Sequence, residues 1–290
     1  MTPLFVILRV IGYIVLAPVI GGLLSGTDRL ISARMQGRQG PPITQPFYDL
    51  YKLIVKQTTV VNSIQMLFIT AYLVFTIFTG ALFFGGGDML LVFFALSMSE
   101  VMLVLAAFST NGPYSALGAQ RELLQMMCYE PMILLVAIGF YVANGSFMVG
   151  ELAGASMPAI VRIPGMFIGF VFILVIKLRK SPFDISTSHH AHQEMVKGVT
   201  VDLSGNYLAM VEVAEWYDVV LMLGIAGMFF VWAEPLSILL ALLCCAVSFF
   251  IITFIDNVFP RVHYKTMLFT TWGVILAFAG TNLIILSVLR

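Results

Sequence analysis

The residues in this chain that could do chemistry are carboxylates placed where hydrocarbon is expected. Glu100 follows eleven uncharged residues, 89–99, and Glu130 lies inside the apolar run 123–143, directly before Pro131. Glu212, Glu215 and Asp218 recur every three residues, a spacing that stacks them along one side of a helix. Asp256 closes another apolar run. An ionised carboxylate at the centre of a bilayer costs about 3 kcal/mol on insertion scales. Such groups must therefore face a protein interior, pair with a cation, or line a water-filled path. Two chemistries are compatible with that. A line of carboxylates with shifted pKa values can pass protons through intervening water; alternatively, the acids pair structurally with Arg9, Arg121 or Arg179. Glu100, Glu130, Glu212 and Glu215 are the ion-translocation candidates, and Asp218 stands behind them. Asp88, Glu151 and Glu234 read as outer-loop residues.

A second cluster, Ser188-His-His-Ala-His-Gln-Glu194, invites a metal reading. Helical zinc sites place two histidines four apart around a catalytic Glu, and here only His190 and Glu194 share that spacing. Interfacial hydrogen bonding, or proton uptake by imidazoles that titrate near neutrality, fits the run better. The three cysteines, Cys128, Cys244 and Cys245, fall in apolar runs and make no CxxC pair. Neither a zinc site nor an iron–sulfur cluster is expected from them; they read as small buried apolar residues. No catalytic residue, metal ligand or cofactor ligand is expected on this chain, so any redox centre belongs to a partner. A net charge of zero gives no reason to expect a nucleic-acid partner.

The elements that must position these acids are membrane helices. The chain has 290 residues, 60% hydrophobic and 10% charged, whereas soluble domains carry roughly 25% charged residues. Eight apolar runs, 7–24, 65–84, 90–108, 123–143, 165–176, 207–232, 236–255 and 268–289, are candidate spans. A bilayer core about 30 Å thick asks for ~20 apolar residues per helix. The run 165–176 is the shortest, with Pro164 at its start. None shows the alternation of a spanning strand. The expectation is an all-α, polytopic membrane protein with eight transmembrane helices in one domain, 1–290. The first run carries Arg9 and lacks a small-residue cleavage signature, so it reads as a span rather than a signal peptide.

Lys and Arg orient the spans. With the N-terminus outside, twelve of the fifteen fall on inner segments, leaving Arg9, Arg162 and Arg290 outside. Both termini are thus expected outside. Two inner segments, about 25–64 and 177–206, are longer than a connection requires and read as a docking surface for a soluble partner. In the first, Phe47, Leu50, Tyr51, Ile54 and Val55 share one face of a helix that would lie along the membrane surface or under that partner.

Three segments together resemble a known family. Arg38-Gln-Gly-Pro-Pro42 with Gln45-Pro-Phe-Tyr-Asp-Leu-Tyr-Lys-Leu53 is similar to the first inner loop of the H-type membrane subunit of respiratory complex I and its hydrogenase relatives. Asn111-Gly-Pro-Tyr114, Gly118-Ala-Gln-Arg121 and Gln125-Met-Met-Cys-Tyr-Glu130 resemble the second block; Ser181-Pro-Phe-Asp184, His192-Gln-Glu194 and Ser204-Gly205 to Glu215 resemble the third. Complex I members usually carry an acid-rich stretch after Pro-Phe-Asp. Its replacement by histidines, together with Gln45-Pro46-Phe47, resembles the membrane-bound, energy-converting [NiFe] hydrogenases of the Ech type.

That resemblance implies a membrane protein that docks hydrogenase large and small subunits and a ferredoxin-type iron–sulfur subunit. These partners would hold the [NiFe] centre and the iron–sulfur clusters, with ferredoxin as electron donor and an antiporter-like subunit beside this one in the cytoplasmic (inner) membrane. It implies coupling of hydrogen evolution to proton or sodium translocation. Glu130, Glu212 and Glu215 fall where the family places acids leading toward the antiporter-like subunits. Asp184, His192 and Glu194 fall in the loop facing the soluble module. Arg34, Arg38, Asp49 and Arg121 fall in the other inner motifs, as docking or pairing residues. The alternatives are a quinone-binding, proton-translocating subunit of a complex I-type NADH dehydrogenase, and the membrane subunit of a formate- or carbon monoxide-linked hydrogenase.

Overall fold

A computed structural model of the chain describes residues 3–58, 62–183, 186 and 195–289. Every apolar run is a helix. In chain order these are α1 (Pro3–Met35), α2 (Gln45–Val55), α3 (Ser63–Phe84), α4 (Met89–Phe108), α5 (Pro113–Asn144), the single turn α6 (Val149–Leu152), α7 (Pro164–Lys177), α8 (Gly205–Met228), α9 (Leu236–Val258), α10 (Tyr264–Val274) and α11 (Thr281–Leu289). A 3₁₀ turn, Ala159–Val161, precedes α7, and a π-helical segment, Ile275–Gly280, joins α10 to α11. Among the described residues there is no β-strand, only two isolated bridges.

Six helical stretches are long and apolar enough to cross a membrane: α1, α3, α4, α5, α9, and α10 to α11 taken together. The other two expected spans are also helices but do not meet that measure by themselves. α7 has 14 residues, and α8 carries Glu212, Glu215 and Asp218 within its first four turns.

Boundaries differ from the sequence expectation at the polar end of the molecule. The first helix does not stop near residue 24 but runs to Met35, carrying Asp28, Arg29 and Arg34 on helix rather than loop. Likewise α5 begins at Pro113, so Arg121 and Glu122 are helical instead of lying in an inner loop. The physical reason is that hydropathy ends where the hydrocarbon ends, whereas backbone hydrogen bonding continues as long as no breaker intervenes. Pro113 itself is a favoured first helical residue, because its missing N–H costs nothing there. Asp88, expected in an outer loop, caps α4 by accepting from the backbone N–H of Leu90 and Leu91.

Packing divides the bundle into an apolar half and a charged half. α5 and α7 lie against each other, with Phe140, Met166 and Phe170 fully buried. Phe229 from the end of α8 meets Phe140 at 4.7 Å between centroids and Phe167 at 5.3 Å. The opposite end, where α7 finishes at Lys177, is charged. Two glycines allow the backbones around it to close. A Cβ on Gly21 would collide with the Trp216 backbone of α8, and one on Gly118 would lie 2.5 Å from the Gly198 carbonyl carbon. Large apolar side chains along α1 and α9 point outward, as expected of helices solvated by lipid.

Candidate functional site: a buried charge cluster beneath the polar loops

The site is built around four residues at the end of α7, Lys177-Leu178-Arg179-Lys180. Arg179 adopts φ +54°, a left-handed conformation uncommon outside glycine. This turn sends its three cations to different helices. Lys177 donates to Glu100 of α4 and lies 3.2 Å from Asp218 of α8. Arg179 reaches Glu215 of α8 at 2.6 Å and Glu122 of α5 at 3.1 Å, with Glu100 at 3.8 Å. Lys180 pairs with Asp28 of α1 and lies 3.7 Å from Asp256 of α9. A segment of four residues thereby ties five helices together.

Burial makes these contacts consequential. Lys177, Glu100 and Glu122 are 5%, 3% and 2% exposed. A charge so placed is tolerated when it is paired and its remaining hydrogen-bonding capacity is met. Glu122 satisfies both, since Ser186 donates to its second oxygen. Asp28 is likewise held, accepting from Thr253 of α9 at 2.9 Å.

A cavity of about 440 Å³ opens beside the cluster. Its nineteen lining residues include six carboxylates (Asp28, Glu100, Glu212, Glu215, Asp218, Asp256) and four cations (Arg29, Lys177, Arg179, Lys180). Six against four leaves two more acids than bases. Full ionisation of such a set is unfavourable in a medium of low dielectric constant.

Of the ion-translocation candidates, the fold brings Glu100, Glu212 and Glu215 to this one cavity and joins Asp218 to them. Glu130 is not among the lining residues. It is half-buried on α5, on the side that carries the exposed Leu123, Met127, Leu134 and Tyr141. Arg9 lies over the Phe5 ring and Arg121 over the Tyr264 ring, at 4.8 and 3.7 Å. Of the three expected partners for the acids, Arg179 enters the cluster.

The docking candidates separate similarly. Asp49 on α2 accepts from Arg29 on α1 at 2.7 Å and from Gln45 at 3.0 Å. Burial opposes ionisation of its carboxyl, yet these hydrogen bonds outweigh burial and hold it below the ordinary aspartate value. Phe47 packs edge-on against Trp216 of α8, 5.2 Å between centroids. The expected apolar face of α2 is therefore split. Phe47 turns inward, while Tyr51, Ile54 and Val55 are exposed together with Tyr48. Arg34 and Arg38 are exposed, and Arg38 donates to Gln36. Asp184, His192 and Glu194, with the other two clustered histidines, lie outside the described residues.

Sequence reasoning missed Lys177, Lys180, Asp28 and Glu122. The available signal was three cations within four residues directly after an apolar run, a density greater than an interfacial anchor needs.

A family model described as NADH dehydrogenase matches residues 8–287. The chain belongs to that family. The H-type subunit of the NADH-quinone oxidoreductase of Geobacillus kaustophilus is 28% identical over 308 residues, spanning 96% of this chain and 91% of its own. Hydrogenase-4 component C of Escherichia coli is 29% identical over 211 residues, 67% of this chain and 64% of that one. Among solved structures, a chain of the membrane-bound sulfane sulfur reductase, an archaeal respiratory membrane complex, superposes with a TM-score of 0.85 at 25% identity. That match covers 97% of this chain and 99% of the other. The resemblance seen in the loop motifs is thus borne out. This NADH dehydrogenase-family chain is a multi-pass membrane subunit of a complex I-like assembly, in which further subunits are expected. Its charged cluster lies at the end of the bundle where the second polar segment folds back, with Ser186 on Glu122 and Gly198 against Gly118.

Proposed function

We propose that this chain is the membrane anchor and ion-translocating subunit of a ferredoxin-dependent, energy-converting [NiFe] hydrogenase, coupling hydrogen evolution to transport of protons or sodium ions. The observation that carries the ion-translocating part is the cavity in which six buried or half-buried carboxylates face four cations. The likeness to hydrogenase-4 component C and to the respiratory sulfane sulfur reductase chain supports a soluble module other than a NADH dehydrogenase. In this reading the [NiFe] and iron–sulfur chemistry belongs to partner subunits, and this chain makes and breaks no covalent bond.

Its own residues supply the coupling. The segment 177–180 holds the cations and continues, through Ser181 to Phe183, into the stretch that would face the soluble module. A displacement of that stretch on electron transfer repositions Lys177 and Arg179 relative to Glu100, Glu122, Glu215 and Asp218. Each carboxylate that loses its cation gains a proton from the cavity, and each that recovers it releases one. The requirement is that the redox state of the partner and the position of the cations be energetically linked. Glu212 is half-buried at the cavity wall, and Glu130 on α5 lies outside the lining.

The second reading is a quinone-binding subunit, supported by the full-length likeness to the NADH-quinone oxidoreductase relative. Quinone sites are apolar clefts with few polar groups. Here six apolar or aromatic side chains line the cavity beside ten charged ones and three serines, a poor fit for an isoprenoid tail. Purification of the intact complex decides between the two. Nickel in the complex and hydrogen evolution driven by reduced ferredoxin support the hydrogenase. Quinone reduction blocked by quinone-site inhibitors, with no nickel, overturns it. Proton or sodium uptake by inverted vesicles tests translocation, and wild-type uptake in both Glu100→Gln and Asp218→Asn rejects it.

A further inference from the structure

Arg162 is one of three basic residues expected on the outer side, where Lys and Arg are sparse. It lies between α5 and α7, at the end of the bundle away from Lys177, in a segment whose backbone is pinned from two directions. The Met89 N–H donates to the Phe147 carbonyl and the Val149 N–H to the Gly87 carbonyl, each at 2.9 Å, which ties the segment to the turn before α4. The Ile160 N–H donates to Phe229 at 2.9 Å and the Ala233 N–H to Ala155 at 3.0 Å, which ties it to the end of α8. The Arg162 carbonyl accepts from Asn282 of α11 at 3.4 Å. Its guanidinium donates to the Ala143 carbonyl in the last turn of α5, where the helix dipole favours a cation.

This fixed segment encloses a cavity of about 200 Å³, lined by Arg162, Glu151, Asn144, Ser146 and Ser156 among others. Glu151 and Arg162 border the same space, yet no ion pair joins them among the described residues. Opposite charges held apart in this way offer one ligand a positive and a negative contact. An anion alone would meet the Glu151 carboxylate, and a cation alone would meet the guanidinium. A ligand carrying both charges satisfies both. The guanidinium matches phosphate through paired N–H groups, and the Asn144 amide and Ser156 hydroxyl add neutral donors. A carboxylate accepts from the N–H groups of a primary ammonium. A quaternary ammonium has none to give and is held instead by aromatic faces; none of the described lining residues is aromatic. Met157 and Val161, next in sequence to Ser156 and Arg162, are exposed apolar side chains, the surface that acyl chains require.

We propose that this cavity binds the headgroup of an ethanolamine phospholipid in the leaflet away from the charged cluster. The phosphate accepts from Arg162, with Asn144 and Ser156 beside it, and the primary ammonium donates to Glu151. The bound headgroup fills the gap between the two charges and bridges the end of α5 to the segment leading into α7. The site lies at the opposite end of the bundle from the acids of the charged cavity and does not depend on the ion-translocating reading.

The test is native mass spectrometry of the detergent-purified, delipidated complex. It is titrated separately with dioleoyl phosphatidylethanolamine, the matching phosphatidylcholine and phosphatidylglycerol, and water-soluble phosphoethanolamine. Other lipid sites on the complex are common to wild type and variants, so the difference between them reads this cavity. Glu151→Gln breaks no hydrogen bond or ion pair among the described residues and should weaken the ethanolamine lipid about tenfold, with the choline lipid unchanged. Arg162→Gln should weaken all three lipids at this site, and Arg162→Lys, which keeps the charge, should restore part of the binding. Should Arg162→Gln fail to assemble, the Glu151→Gln comparison decides alone. Undiminished ethanolamine-lipid binding in Glu151→Gln overturns the proposal, as does a wild-type complex that does not prefer the ethanolamine lipid over the other two. Phosphoethanolamine bound as tightly as the lipid overturns the assignment to a membrane lipid.

Discussion

Lys177 Nζ lies 3.2 Å from Asp218 Oδ2 and also donates to Glu100, so a single ammonium serves carboxylates from two different helices. Both acids also keep one oxygen without a hydrogen bond among the described residues. The pairing is consequently incomplete by construction, which leaves room for a proton to be gained or lost without dismantling the cluster.

Removal of that ammonium should be costly. Lys177→Met removes the ion pair to Asp218 and leaves Glu100 with only the long 3.8 Å contact to Arg179, and breaking a buried pair in this way costs about 3–5 kcal/mol. Thermal unfolding of the detergent-solubilised protein should show the loss. Adding Glu100→Gln and Asp218→Asn should restore most of it, because no unpaired charge remains. A triple variant as unstable as Lys177→Met alone would refute the account.

Glu122 and Glu130 are eight residues apart on α5 and should respond differently. Glu122→Gln weakens the charge-assisted bonds from Arg179 and Ser186, and bonds to charged groups contribute about 1.5–3 kcal/mol. Glu130→Gln breaks no hydrogen bond or ion pair among the described residues, so its stability should stay within about 0.5 kcal/mol of wild type. Its ion uptake should nonetheless fall. The two curves, stability and uptake, are measured on the same preparations; wild-type uptake for Glu130→Gln removes Glu130 from the path.

The attachment of α2 should depend on pH in one direction. Asp49 has its carboxyl held below the ordinary value of 3.8 by Arg29 and Gln45, despite partial burial. A depressed folded value means the stabilisation is present above the unfolded pKa and is lost as pH falls through the folded one. Hydrogen exchange of α2 amides should therefore be insensitive to pH-induced opening near neutrality and show extra opening below about pH 4. In Asp49→Asn the extra opening should vanish. The effect is small, since Arg29 and Asp49 are both well exposed and such pairs contribute little.

Topology is testable by cysteine labelling in intact cells. With both termini outside, Ser146→Cys, in the turn after α5, should react with an impermeant maleimide from outside. Gln36→Cys, just beyond α1, should react only after permeabilisation. The opposite pattern would invert the orientation inferred from the basic residues.

Much of this protein was legible in its residues alone. Unbroken apolar runs impose helices, because a backbone in lipid must satisfy its own hydrogen bonds. Bunched lysines and arginines mark a polar end, and the loop motifs carry the family likeness. The acids inside the runs are expected to turn away from lipid, which cannot solvate them, and Glu100 and Asp218 do so. Which cation meets which acid was decided only in three dimensions. Arg179 joins Glu215 across 36 positions, Lys177 joins Glu100 across 77, and Lys180 joins Asp28 across 152. Helices that are apolar nearly all round carry no facing signal, so no periodicity could predict those partners or the cavity they enclose. The same limit explains Glu130 and Asp218. As sequence, each is an acid in an apolar run; packing turned Asp218 into the cluster beside Lys177 and left Glu130 on the outward side of α5.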